Sequence, residues 1–202
     1  MPPASPYENR EFRNSVVEMA KSGVIPIVGR FDDEMVEVVT HAMVVAKDSL
    51  LKSRREWVTL LIDSPGGYVS ALNSLRAAML ETGLKFKGSV QSQAYSCAFM
   101  LLQYCNYRAA LSNSNILFHY GWAGMHNTDL TLVVEDVEWS IRHHKMRLDQ
   151  WVSDVSARSG LSKETIHDLA KYEKFILAQR ALEMGLLDEV VNIVPKTEKP
   201  PL

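Results

Sequence analysis

Apolar and polar positions along this chain switch between a period of two and a helical period, and the switches mark its elements. Val24-Ile-Pro-Ile-Val28 is a short apolar run that reads as a strand, and Pro26, lacking an amide proton, suits an edge position. Gly29 is expected to turn the chain. Asp32 or Asp33 then caps a helix to about Leu51, with Met35, Val38, Val39, Ala42, Val45 and Ala46 on its inner face. Trp57-Val-Thr-Leu-Leu-Ile62 is apolar enough for a central strand. It runs into Asp63-Ser-Pro-Gly-Gly67, and a helix is expected from about Tyr68 to Glu81. The stretch from Phe86 to Tyr104 alternates loosely, passes through small polar residues and turns apolar nearly all round from Cys97. That predicts a strand, a tight turn and a buried helix, with Ser96 at the helix start. Asn115-Ile-Leu-Phe118 is a further strand and delivers His119 at its end.

After a loose segment the spacing predicts one long helix over about residues 129–158. Leu130, Val134, Val137, Ile141, His144, Leu148, Trp151 and Val155 form a heptad seam with one polar member, His144. At about 1.5 Å per residue such a helix exceeds about 40 Å, more than the core of a domain this size needs. Part of it is therefore expected to project and pack on another subunit. Gly160 ends it, Ser162 caps the next helix, and a short helix from Ala178 to Met184 closes at Gly185. Leu187 to Val194 reads as a last strand or edge. Residues 1–13 are expected to be a flexible arm, 14–195 a single domain, and 196–202 a polar tail.

Strands alternating with helices imply an α/β fold with parallel pairing. Ligands in such sheets gather beyond the carboxyl ends of the strands. Gly66-Gly67, Ser96 and His119 all fall at such ends. Each has a plain reading: a turn, the N-cap of a core helix, and the close of a strand. Each also has a chemical one. Glycines let backbone N–H groups face a ligand. A serine at a helix start lies near free amides and the positive end of the helix dipole. Their coincidence argues for a shared site.

Composition narrows the function classes. With 202 residues, 47% hydrophobic and 23% charged, the chain is globular, and at this size it buries roughly 70% of its unfolded surface. A formal net charge of −2 argues against a nucleic-acid partner, and the basic cluster Lys52 to Arg55 is short enough to be a solvated loop. Cys97 and Cys105, eight apart on one expected helix, sit about 12 Å apart along its axis and cannot pair. Neither has metal-ligand spacing, and unpaired thiols suit a reducing compartment. The N-terminus lacks the apolar core of a signal peptide, and no run nears the ~18 apolar residues of a membrane span. The reading is a cytoplasmic protein without membrane partner, metal or organic cofactor.

Asp63-Ser-Pro-Gly-Gly67, Ser92-Gln-Ala-Tyr-Ser-Cys-Ala-Phe99, Asn115-Ile-Leu-Phe-His119 and Ala181-Leu-Glu-Met-Gly-Leu-Leu-Asp-Glu-Val190 resemble, in order and near-matching spacing, the proteolytic subunit family of the Clp protease. The resemblance covers about Val24 to Val194. It implies the ClpP/crotonase-like fold, a repeated β-β-α superhelix with a long projecting handle helix. It also implies a serine endopeptidase that cleaves unfolded polypeptides inside a homo-oligomeric chamber of stacked rings, served by an ATP-dependent unfoldase. By the resemblance, Ser96 is the nucleophile, His119 the general base, and the amides of Gly67 and Cys97 the oxyanion hole. Glu173 stands where the family has Asp, and Asp168 is the reserve acid. Lys171 and Tyr172 replace the family's ring-linking acid–arginine pair, and the long helix is about two turns longer than the family's. The alternatives are a catalytically silent ring subunit and a viral capsid-maturation peptidase, which extends the expected location to an organelle matrix or an infected cell's cytoplasm.

Overall fold

The computed structural model describes residues 5–120, 134–172 and 174–192. Along the chain its elements are α1 (Arg10–Lys21), β1 (Val24–Phe31), α2 (Asp33–Lys52), β2 (Trp57–Gly67), α3 (Val69–Thr82), β3 (Lys85–Tyr95), α4 (Cys97–Tyr104), β4 (Tyr107–Leu111), β5 (Asn115–Leu117), α5 (Val134–Ser159), α6 (Lys163–Lys171), β6 (Ile176–Leu177), α7 (Ala178–Glu183) and β7 (Glu189–Val191). The main sheet has the order β1-β2-β3-β4-β7, with every neighbouring pair parallel. β5 runs parallel to the last turn of β3, and its other side pairs antiparallel with β6. The chain is mixed α/β with a parallel sheet, as the alternating pattern predicts.

One face of the sheet is covered by helices. Along β2, Val58, Leu60, Ile62 and Ser64 are buried while Thr59, Leu61 and Asp63 are half-exposed. α2 lays Met35, Val38, Val39, Ala42, Met43, Ala46 and Leu50 on that face. Its start is capped by Asp32, whose carboxylate accepts the Met35 amide at 2.8 Å. α4 is buried from Cys97 to Gln103, as a helix apolar all round must be. Pro26 lies on an edge strand, as expected.

Three expectations need correction, and one strand is new. Residues 5–13 are not a free arm. Pro6–Glu8 form a 3-10 turn, Asn9 caps α1 through bonds from the Glu11 and Phe12 amides, and Tyr7 is fully buried. The Tyr7 hydroxyl donates to Pro26 O at 2.8 Å and accepts the Val28 amide at 3.3 Å. It thereby satisfies groups that the edge strand β1 would otherwise leave unpaired. Gly29 does not end β1; it absorbs a register shift at φ 80° and the strand continues to Phe31. Gly66 and Gly67 are the last residues of β2 rather than a loop beyond it. β4, unannounced by the pattern, carries Arg108, which is 3% exposed and pairs with Asp188.

Of the long helix, residues 129–133 lie outside the described residues, as do Leu130 of the seam and the side chains of Val134 and Val137; the rest is α5. The seam divides: Trp151 and Val155 are buried in the core, His144 and Leu148 are half-buried, and Ile141 is 61% exposed; off the seam, Trp139 and Met146 are also exposed. Among the described residues no helix is long and apolar enough to cross a membrane.

Candidate active site

Because β1, β2, β3 and β5 are mutually parallel, their carboxyl ends open on one side of the sheet. Phe31 pairs with Gly67, Ser64 with Ala94, and Tyr95 with Leu117. β3 passes into α4 through a single residue, Ser96, at φ 55° and ψ −120°. Among the described residues Arg54 is the one other non-glycine with positive φ. Such a conformation costs about 1–3 kcal/mol and persists only where its surroundings enforce it. Here the Ser96 amide donates to Leu117 O at 2.9 Å, and the Ser96 carbonyl accepts the Met100 amide at 3.1 Å. Ser96 occupies the N-cap position, yet its side chain makes no capping hydrogen bond. A capping serine has extended backbone; at φ 55° the residue instead forms a sharp strand-to-helix elbow of the kind that exposes a nucleophile. The plain reading of Ser96 as a cap is therefore set aside.

The two glycines of β2 lie directly against this elbow. A Cβ on Gly66 would sit 2.7 Å from Ser96 Cβ, 2.7 Å from Tyr95 O and 3.0 Å from the Cys97 amide nitrogen. A Cβ on Gly67 would sit 2.4 Å from Phe31 O. Both have positive φ, 90° and 154°. The end of β2 is further set by Ser64, whose buried hydroxyl accepts the Gly66 amide at 3.0 Å. Cys97 Sγ donates to Gly67 O at 3.3 Å, joining the two sides. Gly67, Ser96 and Cys97 thus form one cluster at the N-terminus of α4, where unpaired amides and the helix dipole favour negative charge. Burial pushes the Cys97 thiol up from its ordinary value, and it is 1% exposed. A buried, protonated thiol is a poor nucleophile.

His119 follows β5, half-buried. Tyr95 pairs with Leu117 and the Ser96 amide donates to the Leu117 carbonyl, so His119 lies two residues beyond the point where β5 meets the elbow. The segment is tied on both sides. Phe118 is buried with its ring centroid 5.4 Å from that of Phe99 on α4. Tyr120 reaches α6, its hydroxyl 2.9 Å from His167 Nδ1. Burial raises the Tyr120 phenol above its ordinary value, with Asp168 and Asp149 adding to the effect. On the other side of Ser96, the Tyr95 ring packs edge-on against Phe175 of the β6 approach at 5.3 Å, and its hydroxyl donates to Asn115 Oδ1. Glu173 lies outside the described residues, and Asp168 is exposed on α6. Among the described residues no group of His, Cys, Asp or Glu side chains forms a metal-binding cluster.

Two features of this site escape sequence reading: the crowding that demands glycine at 66, and the Tyr120–His167 contact. Neither has a local signal, because each joins segments distant in the chain.

A family model described as Clp protease matches residues 8–194. The chain belongs to the Clp protease family. It is 27% identical over 180 residues to the ATP-dependent Clp protease proteolytic subunit of Ligilactobacillus salivarius, covering 86% of this chain and 85% of that protein. It is 23% identical over 188 residues to the subunit of the same name from Paracoccus denitrificans, covering 89% and 87%. Among Clp protease family features, the α/β fold with its parallel sheet is present here, and the strand–Ser–helix elbow falls within the matched span.

Proposed function

We propose that this chain is a serine-type endopeptidase in which Ser96 is the nucleophile, His119 the general base, and the amides of Gly67 and Cys97 the oxyanion hole. The observation that carries the reading is the backbone of Ser96. At φ 55° the residue forms a sharp strand-to-helix elbow of the kind that presents a nucleophile, and its hydroxyl is not used for capping. Family membership supplies the reaction class.

In this mechanism His119 takes the Ser96 proton as the oxygen attacks the scissile carbonyl, then returns it to the leaving amine. The oxyanion forms at the start of α4, and each amide donor there contributes about 3–4 kcal/mol of transition-state stabilisation. Glu173 is the favoured third member, orienting the imidazole and offsetting its charge. Its support is chain order: β6, which pairs antiparallel with the strand that leads to His119, begins three residues after position 173. A glutamate serves in this role in other enzymes. No metal or organic cofactor enters these steps.

The substrates in this reading are unfolded polypeptides, admitted to a chamber of stacked homo-oligomeric rings by an ATP-dependent unfoldase. The name shared by the two relatives speaks for an ATP-dependent complex. On α5 the exposed Trp139 and Met146 share one face, seven residues apart, and supply apolar contact area for a second copy, with exposed Ile141 on another face.

Fluorophosphonate labelling tests the chemistry. Wild type is expected to be labelled at Ser96 and to cleave a fluorogenic peptide, and Ser96→Ala to do neither. Glu173→Gln is expected to lower kcat by roughly 10³–10⁴-fold through loss of the correct tautomer, while Asp168→Asn stays near wild type. Folded wild type that resists labelling would replace this reading with the catalytically silent ring subunit.

A further inference from the structure

We infer that Tyr120 and His167 form a latch that positions His119 for proton transfer with Ser96. The inference rests on the peptidase reading above and concerns positioning residues, not groups that touch substrate.

The Tyr120 hydroxyl lies 2.9 Å from His167 Nδ1 and 3.1 Å from the His167 carbonyl oxygen. One hydroxyl proton cannot serve two acceptors. Both contacts are hydrogen bonds when Nδ1 carries a proton and donates to the tyrosine oxygen, while the hydroxyl donates to the carbonyl. This arrangement holds for the Nδ1–H tautomer of neutral His167 and for its charged form alike. The titratable groups facing Tyr120 are His167 and Asp168 on α6 and Asp149 on α5.

The latch sits where the site needs it. Tyr120 is the residue next to His119, beyond the last pair of β5 with β3. The sheet therefore holds the backbone only to Leu117, and Phe118 is held by the core. Tyr120 adds an anchor on the far side of His119. Its partner is rigid: Ile166 and Ala170 bury α6 on either side of His167, and the Ser162 hydroxyl caps the helix by accepting the Thr165 amide at 3.1 Å. α6 ends at Lys171, and the chain then leads through position 173 into β6, which pairs with β5. The same helix thus fixes one flank of the proposed base.

An imidazole that drifts matters only when it must accept the Ser96 proton. Loss of the latch therefore lowers kcat and leaves KM nearly unchanged; small misplacements of catalytic groups cost up to about 100-fold. The experiment measures peptide hydrolysis and the rate of fluorophosphonate labelling in the full chain. Tyr120→Phe and His167→Ala are expected to slow both by about 10- to 100-fold with KM within about twofold. His167→Asn, whose side-chain amide can replace the Nδ1 donor, is expected to recover most of the loss. The double variant Tyr120→Phe/His167→Ala should be no slower than either single variant, because both remove one coupled contact. Tyr120→Phe with wild-type kcat and labelling rate, or equal losses in His167→Asn and His167→Ala, would overturn the latch while leaving the peptidase reading intact. Wild type that is folded yet unlabelled at Ser96 would overturn both.

Discussion

Gly66→Ala is the most direct test of the geometry at the elbow. The new methyl group would meet Ser96 Cβ at 2.7 Å, Tyr95 O at 2.7 Å and the Cys97 nitrogen at 3.0 Å. Two of these are backbone atoms, and the third belongs to the side chain whose position matters. None can swing aside as the end of a flexible side chain could. The residue must also hold φ 90°, which costs an L-residue about 1–2 kcal/mol. Relief of the overlap adds about 1–3 kcal/mol, so about 2–5 kcal/mol is expected in all. Gly83→Ala separates the two contributions. Gly83 has φ 68° with nothing within 4 Å of its added Cβ, so it carries the backbone cost alone. Urea unfolding of the two variants should therefore differ by the packing cost, about 1–3 kcal/mol. Relief that shifts the Cys97 amide would, in the proposed mechanism, weaken an oxyanion donor, and loss of one such donor lowers kcat by about 10²–10³-fold. Gly83→Ala should keep wild-type kcat. If Gly66→Ala matched Gly83→Ala in stability and retained most of its peptidase activity, the close approach of β2 to the elbow would be refuted.

Asp188→Ala strips the carboxylate from the guanidinium of Arg108, which is 3% exposed, and should destabilise the chain by about 3–5 kcal/mol. Burial alone would raise the Asp188 carboxyl, but hydrogen bonds from Arg108 and its charge hold it below the ordinary value. The charged pair therefore contributes fully above about pH 4; the stability gap between wild type and variant should close as pH falls through the depressed value. Burial raises both thiols, that of Cys105 to about 12. Neither should react with a thiol reagent at neutral pH until denaturant is added, and rapid reaction of either in the native protein would contradict its placement. Tyr7→Phe removes the hydroxyl shared by Pro26 and Val28, and a lower urea midpoint equivalent to about 1–3 kcal/mol is expected.

The parallel α/β layout is legible because β2 and β3 each present a plain apolar run or alternation, and because α2 and α4 declare their buried faces by spacing. Ser96, Gly67 and His119 could be placed at carboxyl ends for the same reason. What the pattern hides is whatever depends on a distant partner. β4 contains Arg108, whose burial makes sense only with Asp188 eighty residues away and Gln103 beside it. α1 buries only Val16 and Ala20 among many charged residues, so its stripe is too thin to register. Tyr7 and its neighbours read as an arm because prolines and charges surround a side chain whose reason for burial lies in the carbonyl of Pro26. Gly66-Gly67 reads as a turn because glycine marks both turns and close approaches, and only the Ser96 elbow and Phe31 distinguish them.

The elbow itself raises the question of what sustains it. Ser96 could relax to extended backbone and cap α4 through its hydroxyl, recovering both the strain and a capping bond; each is worth about 1–3 kcal/mol or less. Against that stands the burial of α4, where Phe99, Met100, Leu101 and Leu102 are all within 1% of full burial. Each such side chain contributes about 1.5–3 kcal/mol, and all depend on the helix leaving β3 at this angle. The Leu117 carbonyl holds the Ser96 amide, and the Gly66 backbone packs close against Ser96 and the Cys97 nitrogen. The packing outweighs the strain several-fold. The fold therefore fixes Ser96 in a conformation that the residue itself disfavours, and the hydroxyl left without a capping role is the one available for chemistry.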